Sequence, residues 1–367
     1  MIVDRRLLPH LDTRLLITLV VLTLFGLATI YSVTWDFRNN RPGNEFWTQV
    51  YALPVAFAAL IACMMVDYRT LTRQSILIYV AVVLALVYVH FFGATRMGAK
   101  RWIALPGFSL QPSEFARIAV ALTLAMFYGE RGRSAQSMGE LLVGAALVGV
   151  PFILIFKQPD FGTSATLLAV FLGVAYLAGM RVRWLAIAAV VLALLSPIIW
   201  RYALHDYQKA RVESFLNPSK DPKGAGYQQI QAAVTVGSGG LMGKGFRQGT
   251  QGAYQFLPVA HNDFVFSVLA EEQGFVGVLV VLGLYLFVIV RSLEAAKLAR
   301  DRTGALLVTA IISGFTLQVL YNITMSAGLA PVKGLTLPLM SYGGSSLVAT
   351  LAGFGLILNV RMRRFTN

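Results

Sequence analysis

Charge is what this chain has least of. Only 13% of its residues are Asp, Glu, Lys or Arg, against about 25% in a typical soluble domain. That scarcity excludes an ordinary soluble enzyme and a charge-rich disordered chain alike. Cysteine is nearly absent: Cys63 stands alone in an apolar run, so the chain holds no disulfide framework of its own. Four histidines, His10, His90, His205 and His261, are far apart and show no zinc spacing. Acid is scarce beside base, with 17 Asp and Glu against 31 Lys and Arg and a net charge of +14. The basic residues are scattered between apolar runs, as helix ends facing anionic lipid require, and not clustered as in a nucleic-acid-binding module.

Nucleotide and hydrolase motifs are missing too. In the glycine-rich stretch 237–245, a phosphate loop ending at Lys244 needs glycine where Ser238 stands and Ser or Thr where Gly245 stands. A dinucleotide fingerprint fails on Met242, which takes the place of its third glycine. No G-x-S-x-G serine elbow occurs. An ATP-driven transporter and a serine hydrolase are left without support.

What is present is hydrophobic length. Apolar residues make up 57% of the 367, and mean hydropathy is +0.67. A membrane-crossing helix needs about 20 mostly apolar residues. Such runs lie near 15–34, 46–66, 74–92, 113–128, 141–156, 161–180, 183–200, 264–290, 304–329 and 338–360. The first has no charge between Arg14 and Asp36, too long for a signal-peptide core, and is expected to stay as a span. The expectation is an all-α polytopic membrane protein of about ten transmembrane helices. It is read as a single domain over 1–367, with one large loop, 201–262, between the seventh and eighth helices.

Sidedness follows from Lys and Arg. With the N-terminus in the cytoplasm, inside segments hold sixteen cations and the short outside loops hold seven. Both termini are therefore expected inside, and 201–262 outside. That loop is rich in turn formers, Asn217-Pro218, Asp221-Pro222 and Gly237-Ser238-Gly239-Gly240 among them. An apolar-flecked stretch, 228–236, reads as a short interfacial helix. Long glycine-rich loops held between rigid elements are where function concentrates.

A charge in mid-membrane costs about 2.5–3.5 kcal/mol on insertion scales, so each needs a partner or a role. Glu114 and Arg117 lie three apart on the fourth span, on one helix face. They read either as a self-neutralising pair or as the edge of a polar cavity. Asp160, after Lys157-Gln158-Pro159, reads as a helix cap or a site residue. Lys157, beside that helix N-terminus, favours an anionic ligand. Lys100, Arg101 and Trp102 read as headgroup cations with an interfacial aromatic, or as a pyrophosphate site. Ser341 and Ser345, in a Ser/Gly-rich stretch opening the tenth span, read as close packing or as the lining of the same cavity. Asp263, where the long loop enters the eighth span, reads as an N-cap or as a general base at the membrane boundary. Glu271 and Glu272 follow about two turns deeper.

Several of these segments occur in order as motifs: Gly98-Ala99-Lys100-Arg101-Trp102-Ile103, Gln111-Pro112-Ser113-Glu114 and Lys157-Gln158-Pro159-Asp160-Phe161-Gly162-Thr163. Gly224-Ala225-Gly226-Tyr227, Gly237–Gly245, Asp263-Phe264 with Ala270-Glu271-Glu272, and Pro338–Ser346 continue the series. Over nearly its whole length the chain resembles the SEDS family (shape, elongation, division and sporulation), most of all its rod-shape branch. Lys333–Pro338 looks more like the division branch. It departs from the usual pattern at Val259-Ala260, at Asn262 and at Arg117, where lysine is common.

The resemblance implies a peptidoglycan glycosyltransferase of the bacterial plasma (inner) membrane, with its active site on the extracytoplasmic face. It implies that lipid II is polymerised into glycan for cell-wall elongation and rod shape, and that Asp263 is the essential carboxylate. The implied partners are a class B penicillin-binding protein acting as transpeptidase and other elongation-complex membrane proteins, with no nucleic acid. On this reading Lys100, Arg101, Trp102, Glu114, Arg117, Lys157, Asp160, Ser341 and Ser345 bind substrate. The metal is left unknown: a divalent cation, Mg2+ or Mn2+, is an option beside the cations, with no ligand cage in the sequence. A lipid II flippase, a non-catalytic scaffold of a cell-wall synthase and a division-type paralogue are the alternatives.

Overall fold

A computed structural model describes residues 8–36, 39–96, 99–105, 108–131, 137–198, 201–202, 206–218, 224–250, 256–257 and 260–365. Gly98, Asp221-Pro222 and Val259 lie outside them. Among the described residues, ten helices cover the ten apolar runs. They are α1 (Thr13–Val33), α2 (Asn44–Met65), α4 (Ser75–Phe92), α5 (Pro112–Gly129), α6 (Met138–Lys157), α7 (Phe161–Leu177), α8 (Val182–Ile198), α11 (Val265–Lys297), α12 (Arg302–Ser326) and α13 (Gly344–Met362). Seven of these, all but α5, α7 and α8, are long and apolar enough to cross a membrane. Short α3 (Tyr68–Arg73) links α2 to α4. The long loop carries α9 (Asp206–Leu216) and α10 (Ala225–Ser238), the second where an interfacial helix was expected.

Two features depart from an all-helical reading. Strands β1 (Trp35–Asp36) and β2 (Arg41–Pro42) close a small antiparallel pair after α1. Strands β3 (Ala94–Arg96), β4 (Ala99–Leu105) and β5 (Phe108–Leu110) form an antiparallel meander between α4 and α5, with Ala94 opposite Trp102 and Ile103 opposite Leu110. The basic cluster Lys100-Arg101 therefore stands on a strand. The last span also starts later than the apolar run, at Gly344, because Pro338 and Gly343 (φ 156°) keep 338–343 out of the helix.

Burial separates centre from periphery. The most apolar stretch of α13 is 89% buried, that of α4 only 17%. α13 is thus the axis, and α4 shows most of its surface to lipid. Small residues allow the close approach: a Cβ on Gly355 would lie 2.4 Å from the Leu60 carbonyl oxygen, and one on Gly26 2.4 Å from Met340 Cα.

Side-chain caps start α1, α6, α7 and α12. Asp12 accepts from Leu15 N–H, Ser137 and Glu140 form a reciprocal box, Asp160 accepts from Thr163 N–H, and Asp301 from Gly304 N–H. At the end of the bundle carrying α1's start, Asp12 pairs with Arg291 and Arg361, each at 3.0 Å. Asp301 accepts from Tyr68 Oη at 2.7 Å and Arg69 Nε at 3.0 Å.

Burial alone would raise the Asp301 pKa. The bonds from Gly304 N–H, Tyr68 and Arg69 outweigh it and hold the carboxyl below its ordinary value. A depressed folded-state pKa gives stability that is complete above about pH 4 and lost as pH falls through the lowered pKa. Asp301→Asn is therefore expected to flatten the fall in melting temperature between about pH 6 and pH 3. Equal slopes in parent and variant would deny the carboxylate that share.

Candidate functional site

The turn ahead of α11 holds Asp263. Its expected role as N-cap fails on register: the cap position is Phe264, and no side chain caps the helix. The carboxylate is thus released from helix capping, the bland reading of the sequence. Its backbone is held tightly. Asn322 Nδ2 donates to the Asp263 carbonyl at 2.9 Å and to the Leu335 carbonyl at 2.6 Å. Tyr342 N–H donates to the His261 carbonyl at 3.0 Å, and the His261 ring meets Tyr342 edge-on at 5.5 Å. Gln49 clamps the same turn, accepting from Gly343 N–H at 3.0 Å and donating to the Ser341 carbonyl at 3.4 Å. Burial lowers the His261 pKa, opposed in part by Glu45, so the ring is neutral at pH 7.

Gly334 brings backbone against the carboxylate. It has φ +60°, and a Cβ there would lie 3.4 Å from Asp263 Oδ2. The next residue, Leu335, packs on Gly162 in the first turn of α7, where a Cβ would lie 2.7 Å from Leu335 Cγ. The preceding Lys333 holds its ammonium 6.0 Å from the Phe161 ring centre. Residues 333–335 thus connect the Asp263 turn to the start of α7.

From there a polar chain enters the bundle. Gln318 Nε2 donates to Thr336 carbonyl at 2.9 Å and Oγ1 at 3.3 Å. Arg117 bonds both Gln318 Oε1 and Glu114 Oε2. These three side chains and Thr350 edge a cavity of about 40 Å3 otherwise lined by apolar residues such as Ile118, Val170 and Phe315. That is room for about three waters. Glu114 and Arg117 do form the expected pair, and the cavity beside them is mostly apolar where a polar one was expected.

Other expected site residues are occupied by structural bonds. Asp160 caps α7 through Oδ1 (3.2 Å to Thr163 N), while Oδ2 accepts from Gln111 at 3.1 Å and Ser113 at 3.3 Å. Ser341 Oγ accepts from Leu337 N–H at 2.8 Å. Ser345 Oγ donates to the Ser109 carbonyl at 2.7 Å and accepts from Gln111 N–H at 3.1 Å. Arg101 donates to the carbonyls of Gln158 at 2.8 Å and Pro159 at 2.5 Å, tying β4 to the turn before α7. Lys100 and Lys157 are exposed, and Trp102 is half-buried on β4. Among the described residues, no group of three or more His, Cys, Asp or Glu stands close enough to hold a metal ion.

Asn322, Gln318 and Gln49 were not singled out in sequence, and Lys333, Gly334 and Thr336 only as part of the 333–338 motif. Only the amides left a signal: Asn322 and Gln318, four apart on α12, are polar residues inside an apolar run.

The sequence matches the FtsW/RodA/SpoVE family, described as cell cycle proteins, over residues 12–365. The chain belongs to that family. Among this family's curated members, the peptidoglycan glycosyltransferase MrdB of Escherichia coli is 36% identical over 97% of this chain and 94% of its own. A probable peptidoglycan glycosyltransferase FtsW from Trichlorobacter lovleyi is 36% identical over 96% and 93%. A solved chain from work on how a peptidoglycan synthase complex coordinates polymerization and crosslinking superposes with a TM-score of 0.84 and 32% identity, covering 97% of this chain and 99% of that one. The rod shape determining protein RodA of Thermus thermophilus gives 0.73 and 28%, over 97% and 98%.

Proposed function

We propose that this chain is a peptidoglycan glycosyltransferase that polymerises lipid II at the extracytoplasmic face of the bacterial plasma membrane. The observation that carries the chemistry is the Asp263 carboxylate. It caps no helix, its backbone carbonyl is held by Asn322, and its Oδ2 lies against Gly334, the residue after Lys333. The names of the relatives support the reaction class.

Asp263 takes the proton of the acceptor's GlcNAc 4-hydroxyl. That oxygen forms the new bond to C1 of the donor MurNAc, and the bond from C1 to the pyrophosphate oxygen breaks. Undecaprenyl pyrophosphate leaves with the electron pair. A positioned base supplies roughly 10²–10⁴ in rate. Lys100, Lys157 and Lys333 stabilise the charge on the leaving pyrophosphate. Arg101 contributes by holding the turn behind Lys157, since two of its donors are already used there.

The partner on this reading is a class B penicillin-binding protein that cross-links the product, in keeping with the likeness to a synthase complex that couples the two reactions. Elongation is the process we assign, on the Gly243–Phe246 and Gly249–Gln251 segments that resemble the rod-shape branch.

The reading requires the long loop to face outward. Gln248 is exposed on it. In a Cys63→Ser background, Gln248→Cys is expected to react with an impermeant thiol reagent on intact spheroplasts. Reaction only after lysis would reverse the topology and remove Asp263 from the face where lipid II is polymerised.

A further inference from the structure

α11 is not a continuous helix. Gly274 has φ 65° and ψ −167°, a conformation no L-residue adopts without strain, and it divides the element in two. The upper piece, Val265–Glu272, is buried at every residue and is joined to Asp263 through the cap residue Phe264. A broken helix leaves amides and carbonyls without i, i+4 partners, and in a membrane protein these must be satisfied within the protein. The long loop satisfies them. Lys244 N–H donates to the Glu271 carbonyl at 2.9 Å and Gly245 N–H to the Glu272 carbonyl at 3.0 Å. In return Phe275 N–H donates to the Gly240 carbonyl at 2.9 Å and Val276 N–H to that of Leu241 at 3.2 Å. Glycine makes the splice fit: a Cβ on Gly243 would lie 2.2 Å from the Glu272 carbonyl oxygen.

One side-chain cluster locks the splice. Glu271, 0% exposed, accepts through Oε1 from Lys244 Nζ at 2.6 Å, from Thr250 N–H at 2.9 Å and from Thr250 Oγ1 at 3.1 Å. Lys244 Nζ also donates to Thr250 Oγ1 at 3.0 Å.

We propose that Lys244, acting through Glu271, is a positioning residue for Asp263. The proposal rests on Asp263 being the general base. The eight residues Val265–Glu272 form a rigid rod of about 12 Å. Its far end is fixed by loop backbone and the Lys244–Glu271 pair, and its near end carries the base. Releasing the far end lets the rod turn or slide, and a displacement of about 1 Å at reacting atoms is enough to cost up to about 10²-fold in rate. Lys244 itself is committed to Glu271 and Thr250, so it acts without touching substrate.

The test uses the full-length chain with its transpeptidase partner and compares Lys244→Met, Lys244→Arg and Thr250→Val with the parent. Lys244 is partly exposed, so its truncation should fold. Lys244→Met is expected to lower kcat for lipid II polymerisation about tenfold, within the range for such displacements. KM should stay near parent, the melting temperature should fall by a few degrees because buried Glu271 loses its counter-charge, and amide exchange should quicken at 260–266 as well as at 239–250. Lys244→Arg should restore most of kcat, and Thr250→Val should lower it in the same sense. Parental kcat in Lys244→Met would overturn the proposal. So would a joint loss of kcat and melting temperature that arginine does not restore. If Asp263→Asn keeps parental activity, the assignment of the base has failed instead, and the two failures are distinguishable.

Discussion

Asp263→Asn is expected to abolish glycan polymerisation and leave the fold intact. Asn is nearly isosteric, and two bonds that hold this turn go to its backbone carbonyls: Asn322 Nδ2 to that of Asp263, and Tyr342 N–H to that of His261. Neither depends on the carboxylate. The helix behind it is capped at Phe264, without any side chain, so no cap is lost. What disappears is the ability to accept a proton, and the rate should fall by roughly 10²–10⁴. Gel analysis of labelled lipid II reads the chemistry, and a detergent melting curve reads the fold. A folded variant that makes glycan near the parental rate would remove Asp263 from the mechanism.

The second large effect concerns stability. Arg117 stands inside the bundle with its guanidinium shared between Glu114 and Gln318, and both charged side chains are nearly buried. Arg117→Met strands the Glu114 carboxylate in an apolar setting. Removing one partner of a buried pair costs about 3–5 kcal/mol, a fall of several degrees in melting temperature. Adding Glu114→Gln removes the stranded charge and should recover a good part of that loss. A single Arg117→Met variant melting with the parent would show that the pair is solvated, as if the cavity beside it opened widely to water.

The spans were legible because each is a long, predominantly apolar run, and lipid demands such runs. Their ends were less so: the last helix starts at Gly344, six residues into its run, since Pro338 and Gly343 set a local backbone that hydropathy does not register. The β3–β4–β5 meander escaped notice because its strands are short and pair only with each other. In the site, Glu114 and Arg117 were readable from cost alone, as charges where charge is expensive. Asp263 was readable as a boundary carboxylate, but a one-residue difference in where α11 begins decided whether it caps the helix. Asp160, Ser341 and Ser345 carried the right chemistry for a site, and the fold uses them to hold loops. The break at Gly274 was hidden, because a glycine inside an apolar run reads as an ordinary helix residue until Gly243 is placed against it.

Formation of the glycosidic bond by this chain can be counted product by product. The most direct measurement is made on the purified chain in sealed vesicles with labelled lipid II and a transpeptidase partner blocked by penicillin. Glycan polymer and undecaprenyl pyrophosphate are counted together. One pyrophosphate lipid is expected for each disaccharide added, with both falling by roughly 10²–10⁴ in the Asp263→Asn preparation. Lipid II crossing the bilayer with no polymer and no pyrophosphate lipid released would contradict it, and would make the chain a transporter of the precursor.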